Sequence, residues 1–121
     1  MSKTILIVDD VPTIRNLVKF ALSKAGFSII EAEDGSVGLS LIKTQNIDLV
    51  ISELHMPVMG GFDLAKAIKA DPKIRHVPIF ILTKDPNPED AQQGKEIGVN
   101  AWIIKPFVPD KLLAAVKKAL S

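Results

Sequence analysis

The chain has 121 residues, 47% hydrophobic and 24% charged, enough for one hydrophobic core and too few for two domains. Its net charge of +1 sets aside electrostatic binding of nucleic acid, which shows as a clear basic excess. The absence of cysteine excludes a disulfide framework and a thiolate metal centre, and the first apolar run is too short for a signal peptide or a membrane span. The expectation is one cytoplasmic domain over residues 1–121, with no membrane insertion.

Five short apolar runs, rich in β-branched residues, recur without polar alternation, the pattern of strands covered on both faces. The first is Ile5 to Val8. After it, Ile14, Leu17, Val18, Ala21, Leu22 and Ala25 follow helical spacing, with Pro12 in the first turn and Gly26 as the stop. Ser28 to Ile30 is the second run, followed by a helix marked by Val37, Leu41 and Ile42. Leu49 to Ile51 is the third, followed by a helix marked by Leu64, Ala65 and Ile68. Ile79 to Leu82 is the fourth, and Pro88, Glu89 and Asp90 open a helix that ends near Gly98. Ala101 to Ile104 is the fifth, and Pro109 and Asp110 open a last helix whose buried stripe is Leu112, Leu113, Val116 and Leu120. Five βα units in strict alternation predict an α/β fold, a five-stranded parallel sheet doubly wound by helices on both faces.

Ligands of such sheets bind at the carboxyl ends of the strands. Asp9 and Asp10 follow the first strand, Glu53 the third, Thr83 and Lys84 the fourth, and Lys105 the fifth. Any one of these is an ordinary cap or turn residue. The set converges on one end of one sheet, and that is harder to explain by local structure. Two like charges ~5 Å apart repel by roughly 3 kcal/mol at an effective dielectric near 20, so three carboxylates need a counter-charge. Mg²⁺ takes oxygen ligands and keeps several waters. The lysine and the hydroxyl suit phosphoryl oxygens. His55 and His76 show no partner pattern and are expected to be solvated loop residues.

The segments Ile7-Val-Asp-Asp10, Asp48-Leu-Val-Ile-Ser-Glu53-Leu-His-Met-Pro-Val-Met-Gly-Gly61, Ile81-Leu-Thr83 and Trp102-Ile-Ile-Lys-Pro-Phe107, in this order and spacing, resemble a response-regulator receiver domain of two-component signalling systems. The likeness covers essentially the whole chain, in the manner of free-standing receivers of the chemotaxis type. It implies a flavodoxin-like strand order 2-1-3-4-5 and a signalling switch, not an enzyme. Asp9 and Asp10 would form the acidic Mg²⁺ pocket, Asp10 as the more direct ligand, with Glu53 and the backbone carbonyl of His55 completing the metal set. Lys105 and Thr83 would carry the catalytic roles at the phosphoryl group, Thr83 as the switch hydroxyl. Trp102 stands in the place of the rotating aromatic, usually Tyr or Phe. The partners implied are a sensor histidine kinase or phosphotransfer protein, and a downstream target at the face of the fourth helix, fifth strand and fifth helix. The resemblance also implies a cis Lys105–Pro106 peptide, X-Pro being the one bond where cis is cheap.

Three departures bear on function. Glu53 stands in the place of the phospho-accepting Asp, Lys84 in the place of a small residue, and Gly60 in the place of a common acidic one. Glutamate is longer by one methylene, about 1.5 Å, and a misplacement of that size costs about a hundredfold in rate. Its carboxylate would reach into the phosphoryl space, giving a domain that is either non-phosphorylatable or an imitation of the phosphorylated state. Two other classes fit the fold. A Mg²⁺-dependent phosphatase needs an Asp-x-Asp pair, which Asp9-Asp10-Val11 does not supply. A flavin carrier needs a Ser/Thr/Gly-rich phosphate loop, where Asp9 and Asp10 would repel phosphate. Walker-type and dinucleotide glycine motifs are absent.

Overall fold

The computed structural model describes residues 2–121. Ten elements alternate without exception: β1 (Thr4–Val8), α1 (Pro12–Ser23), β2 (Ser28–Ala32), α2 (Gly35–Thr44), β3 (Leu49–Ser52), α3 (Gly61–Ala70), β4 (Ile79–Thr83), α4 (Pro88–Ile97), β5 (Ala101–Ile104) and α5 (Pro109–Leu120). All strand pairs are parallel and the sheet order is β2-β1-β3-β4-β5, as the sequence implied.

Alternation along the strands divides the core in two. Leu6, Val8, Val50 and Ile79 point to one face, where Ile42 of α2 and Leu64, Ala65 and Ile68 of α3 cover them. Ile5, Ile7, Leu49, Ile51, Phe80 and Leu82 point to the other, under Val18 and Leu22 of α1 and Leu112 and Val116 of α5. The central strands therefore read as unbroken apolar runs because both their faces are dry. The edge strands are less protected: β2 and β5 are largely half-buried, and Ile104 is exposed.

Local chemistry sets the helix ends. Pro12, Pro88 and Pro109 open α1, α4 and α5, where a missing N–H costs nothing. The side chain of Asp34 caps α2 by accepting from Val37 N at 3.0 Å. Gly98 closes α4 in the left-handed region, φ 109°, where L side chains are strained. α4 itself is the lightly anchored element. Its sequence, PEDAQQGKEI, carries so few apolar residues that only Gly94 is fully buried. A helix with so little buried apolar surface belongs to the low-stability end of a fold.

One stripe differs from the sequence expectation. Leu17 and Ala25 belong to the helical spacing that marks the first helix, but both are exposed. α1 meets the sheet through the buried Val18 and Leu22, with Ile14 half-buried beside them, and the flank carrying Leu17 and Phe20 turns to solvent beside α5.

Candidate functional site

Strand register places the site. Val8 pairs with Ser52 across β1 and β3, so Asp9 and Glu53 leave the sheet side by side. Thr83 pairs with Ile104 across β4 and β5, so Lys105 leaves it beside Thr83. The order 2-1-3-4-5 has its switch point between β1 and β3, where α1 and α3 depart to opposite faces and open a crevice. Asp9, Glu53 and Thr83 are the charged or polar residues buried there, together with Ser52, whose hydroxyl donates to the Glu53 carbonyl at 2.8 Å.

Lys105 is the centre of the arrangement. Its ammonium donates to Asp9 Oδ2 at 2.9 Å and to Glu53 Oε1 at 2.7 Å. Its side chain is 5% exposed, and those of Asp9 and Glu53 are 4% and 10% exposed. The other carboxylate oxygen of each acid is held by backbone. Asp9 Oδ1 accepts from Val11 N at 2.9 Å, and Glu53 Oε2 accepts from Leu54 N and, at 3.3 Å, from His55 N. Burial works to raise the Glu53 pKa, but hydrogen bonds from Lys105 and Thr83, the Lys105 charge and the Leu54 amide carry it below the usual carboxylate range. Burial works to lower the Lys105 pKa, and its bonds to Glu53 and Asp9 carry it up. The pocket therefore holds an acid–lysine–acid triad in which Glu53 and Lys105 are both stabilised in their charged forms.

The sequence had grouped three carboxylates around one counter-charge. Among the described residues, Asp9, Asp10 and Glu53 do not bring their oxygens within 4.8 Å of one another as a set. The lysine ammonium lies between two of them instead. Asp10 is exposed at the rim and Asp9 is buried, so Asp9 is the better-ordered acid. Lys84 is exposed. The Lys105–Pro106 peptide is cis, as expected. His55 departs from the expectation of a partnerless loop residue: its Nε2 lies 2.9 Å from Asp85 Oδ2. Sequence reading also missed Arg15, whose guanidinium donates to the Asp9 carbonyl and pairs with Glu31 at 3.4 Å. Neither contact has a spacing signature, since each joins separate segments.

Trp102 sits below α4. Its ring stacks at a tilt of 30° against Phe62 of α3, centroids 6.0 Å apart, and its six-membered edge fills the space a side chain at Gly94 would take. A Cβ at residue 94 would lie 2.9 Å from Trp102 Cζ3. Gly94→Ala is therefore expected to move the indole and to cost about 1–3 kcal/mol by overpacking. Trp102 is the only tryptophan, so its emission reports the displacement directly. An unchanged spectrum and an unchanged urea midpoint would show that α4 simply lifts without disturbing the ring.

Buried acid, lysine and hydroxyl gathered at the switch point of a 2-1-3-4-5 sheet define a receiver-type signalling switch. The response regulator receiver domain profile matches residues 5–117, and the chain belongs to that family. It is 34% identical over 115 residues to the chemotaxis protein CheY of Pseudomonas aeruginosa, covering 94% of this chain and 93% of that one. It is 38% identical over 115 residues to CheY-3 of Vibrio cholerae, covering 94% and 88%. The crystal structure of Vibrio cholerae CheY4 superposes with a TM-score of 0.93 at 36% identity, over 99% of this chain and 100% of that one. The chain is thus a CheY-like receiver of two-component signal transduction. Domains of this family are signalling switches that bind Mg²⁺ at the acidic site, and CheY-like receivers interact with histidine kinases and downstream targets. Among the described residues, no helix is long and apolar enough to cross a membrane.

Proposed function

We propose that this receiver is biased part-way toward its active shape by Glu53 itself and takes up no stable phosphoryl group. The observation that carries the reading is the buried Glu53 carboxylate at 2.7 Å from the Lys105 ammonium, its second oxygen on two backbone amides. These are donors a phosphoryl group on a shorter side chain would use. A ligand or substitution shifts a two-state equilibrium only by its differential interaction with the two states. One charged hydrogen bond contributes roughly 1.5–3 kcal/mol, a bias of about ten- to hundredfold. That is short of the ~10⁴ needed to move 1:99 to 99:1.

Mg²⁺ fits the donor set. Asp9, Asp10 and the His55 carbonyl offer oxygens only, as a hard cation requires. Lys105 neutralises one of the two buried carboxylates, and the charge left over with Asp10 at the rim matches a divalent ion. When bound, the ion would neutralise charge developing on a transferring phosphoryl group. Glu53 contributes charge rather than a free oxygen.

The partners proposed are a histidine kinase or phosphotransfer protein at the pocket and a target protein on the face of α4, β5 and α5. Support for that face comes from its surface. β5 is an edge strand, Ile104 and Val108 are exposed, and α4 is lightly held.

Trp102 emission tests the bias, because the ring packs between α3 and α4. This chain is expected to fall between Glu53→Asp without a phosphodonor and Glu53→Asp with one, and Glu53→Gln is expected to fall back toward the former. Coincidence of this chain with unphosphorylated Glu53→Asp would mean an inert pocket and would end the proposal.

A further inference from the structure

Outside the triad, one other group of side chains gathers ligand atoms among the described residues. His55 lies in the loop after β3, Asp85 two residues beyond β4, and Asp90 in the first turn of α4. Their ring nitrogen and carboxylate oxygens lie within 4.8 Å of one another. Asp85 is held in place by backbone, its Oδ1 accepting from Asn87 N at 2.8 Å and its own N–H donating to Thr83 Oγ1 at 3.2 Å. Asp90 is fixed by the helix that carries it. The His55 side chain is 69% exposed and can swing to meet them.

We infer that His55, Asp85 and Asp90 form a binding site for a borderline divalent cation such as Zn²⁺, Co²⁺ or Ni²⁺, separate from the oxygen-only pocket of Asp9 and Asp10. Ligands at about 2.0–2.2 Å in a tetrahedral Zn²⁺ shell stand about 3.4 Å apart. The three atoms lie within 4.8 Å of one another, with His55 Nε2 and Asp85 Oδ2 at 2.9 Å, so they reach that spacing by shifts of little more than an ångström, within the reach of a side-chain torsion. One imidazole with two carboxylates selects this class of ion over Mg²⁺, which prefers an all-oxygen shell and dehydrates reluctantly. Water would complete the coordination. The positive end of α4 opposes a cation with roughly half a charge, less than the two carboxylates provide.

Electrostatics agrees with the geometry. The carboxylates of Asp85 and Asp90 lie close together with the His55 imidazole beside them. Hydrogen bonding to Asp90, and then to His55, holds the Asp85 pKa down at about 2, while the same contact with Asp85 pushes the Asp90 pKa up. The two acids crowd one another, and a divalent ion would neutralise both. Its position has a consequence for the switch. His55 is two residues past Glu53 and Asp85 two past Thr83, so an ion here would tie both pocket loops to the start of the lightly anchored α4.

Calorimetric titration with Zn²⁺ in an excess of Mg²⁺ tests the site, with Co²⁺ absorption as a second readout. One equivalent is expected to bind the unmodified chain. A residue behind a metal ligand is worth about ten- to hundredfold in affinity, and a ligand at least as much. Asp90→Asn and His55→Gln should each weaken binding by about tenfold or more, whereas Asp10→Asn and His76→Gln should leave it unchanged. Trp102 emission confirms that each variant is folded. The inference is overturned by an absence of binding, by binding that survives both Asp90→Asn and His55→Gln, or by binding lost with Asp10→Asn or His76→Gln.

Discussion

Glu53→Asp is expected to take up phosphoryl groups from a small-molecule phosphodonor and Mg²⁺ about a hundredfold faster than the unmodified chain, or more. The acceptor oxygen must form its bond to phosphorus in line with the bond breaking to the donor, and Mg²⁺ chemistry only helps an oxygen already in position. In this chain both carboxylate oxygens are occupied, one by the Lys105 ammonium and the other by the Leu54 and His55 amides. A phosphoryl group entering the pocket would compete with the carboxylate for those donors. Aspartate, shorter by about 1.5 Å, would withdraw from them and leave them for the phosphoryl oxygens. Base- and hydroxylamine-labile phosphate bound per chain is the measurement, with Lys105→Ala in the Glu53→Asp background as control. Equal uptake by the unmodified chain and Glu53→Asp would show that glutamate reaches the in-line position and that the blocking argument is wrong.

The sequence carried this much of the site because its signals are local. Asp9, Glu53, Thr83 and Lys105 each follow a short apolar run rich in β-branched residues that reads as a strand, so their convergence follows from topology. The prolines at residues 12, 88 and 109 marked helix starts for a reason of backbone chemistry that tertiary contacts do not override. Legibility ended where two distant segments settle a position jointly. Whether Leu17 is covered depends on how α1 tilts against α5, and helical spacing alone assigns it to the wrong face. That Lys105 stands between Asp9 and Glu53 depends on side-chain reach across two strands. The His55–Asp85 contact depends on two loops, and loop conformation leaves no periodic mark in the chain.

Lys105→Met is expected to destabilise the fold by about 3–5 kcal/mol, the cost of leaving buried charge uncompensated. Methionine keeps most of the aliphatic stem, so the loss is of charge and hydrogen bonds more than of packing. Asp9 and Glu53 would face each other in a pocket where their side chains are 4% and 10% exposed. Adding Glu53→Gln removes one of the two stranded charges and should recover part of the loss, a coupling of about 0.5–3 kcal/mol between contacting residues. The pH dependence separates this account from a packing defect. The depressed pKa of Glu53 contributes stability above its ordinary 4.5 and loses it as pH falls through the folded value. The raised pKa of Lys105 contributes below its ordinary 10.5 and loses it as pH rises through the folded value. The difference between the unmodified chain and Lys105→Met should therefore be widest between about pH 5 and pH 10. It should narrow in acid, where burial without a lysine drives Glu53 to take up a proton and relieves the variant. Urea unfolding of the unmodified chain and both variants, at neutral pH and near pH 4, measures this. A gap of the same size at both pH values would show that the lysine contributes packing and not charge.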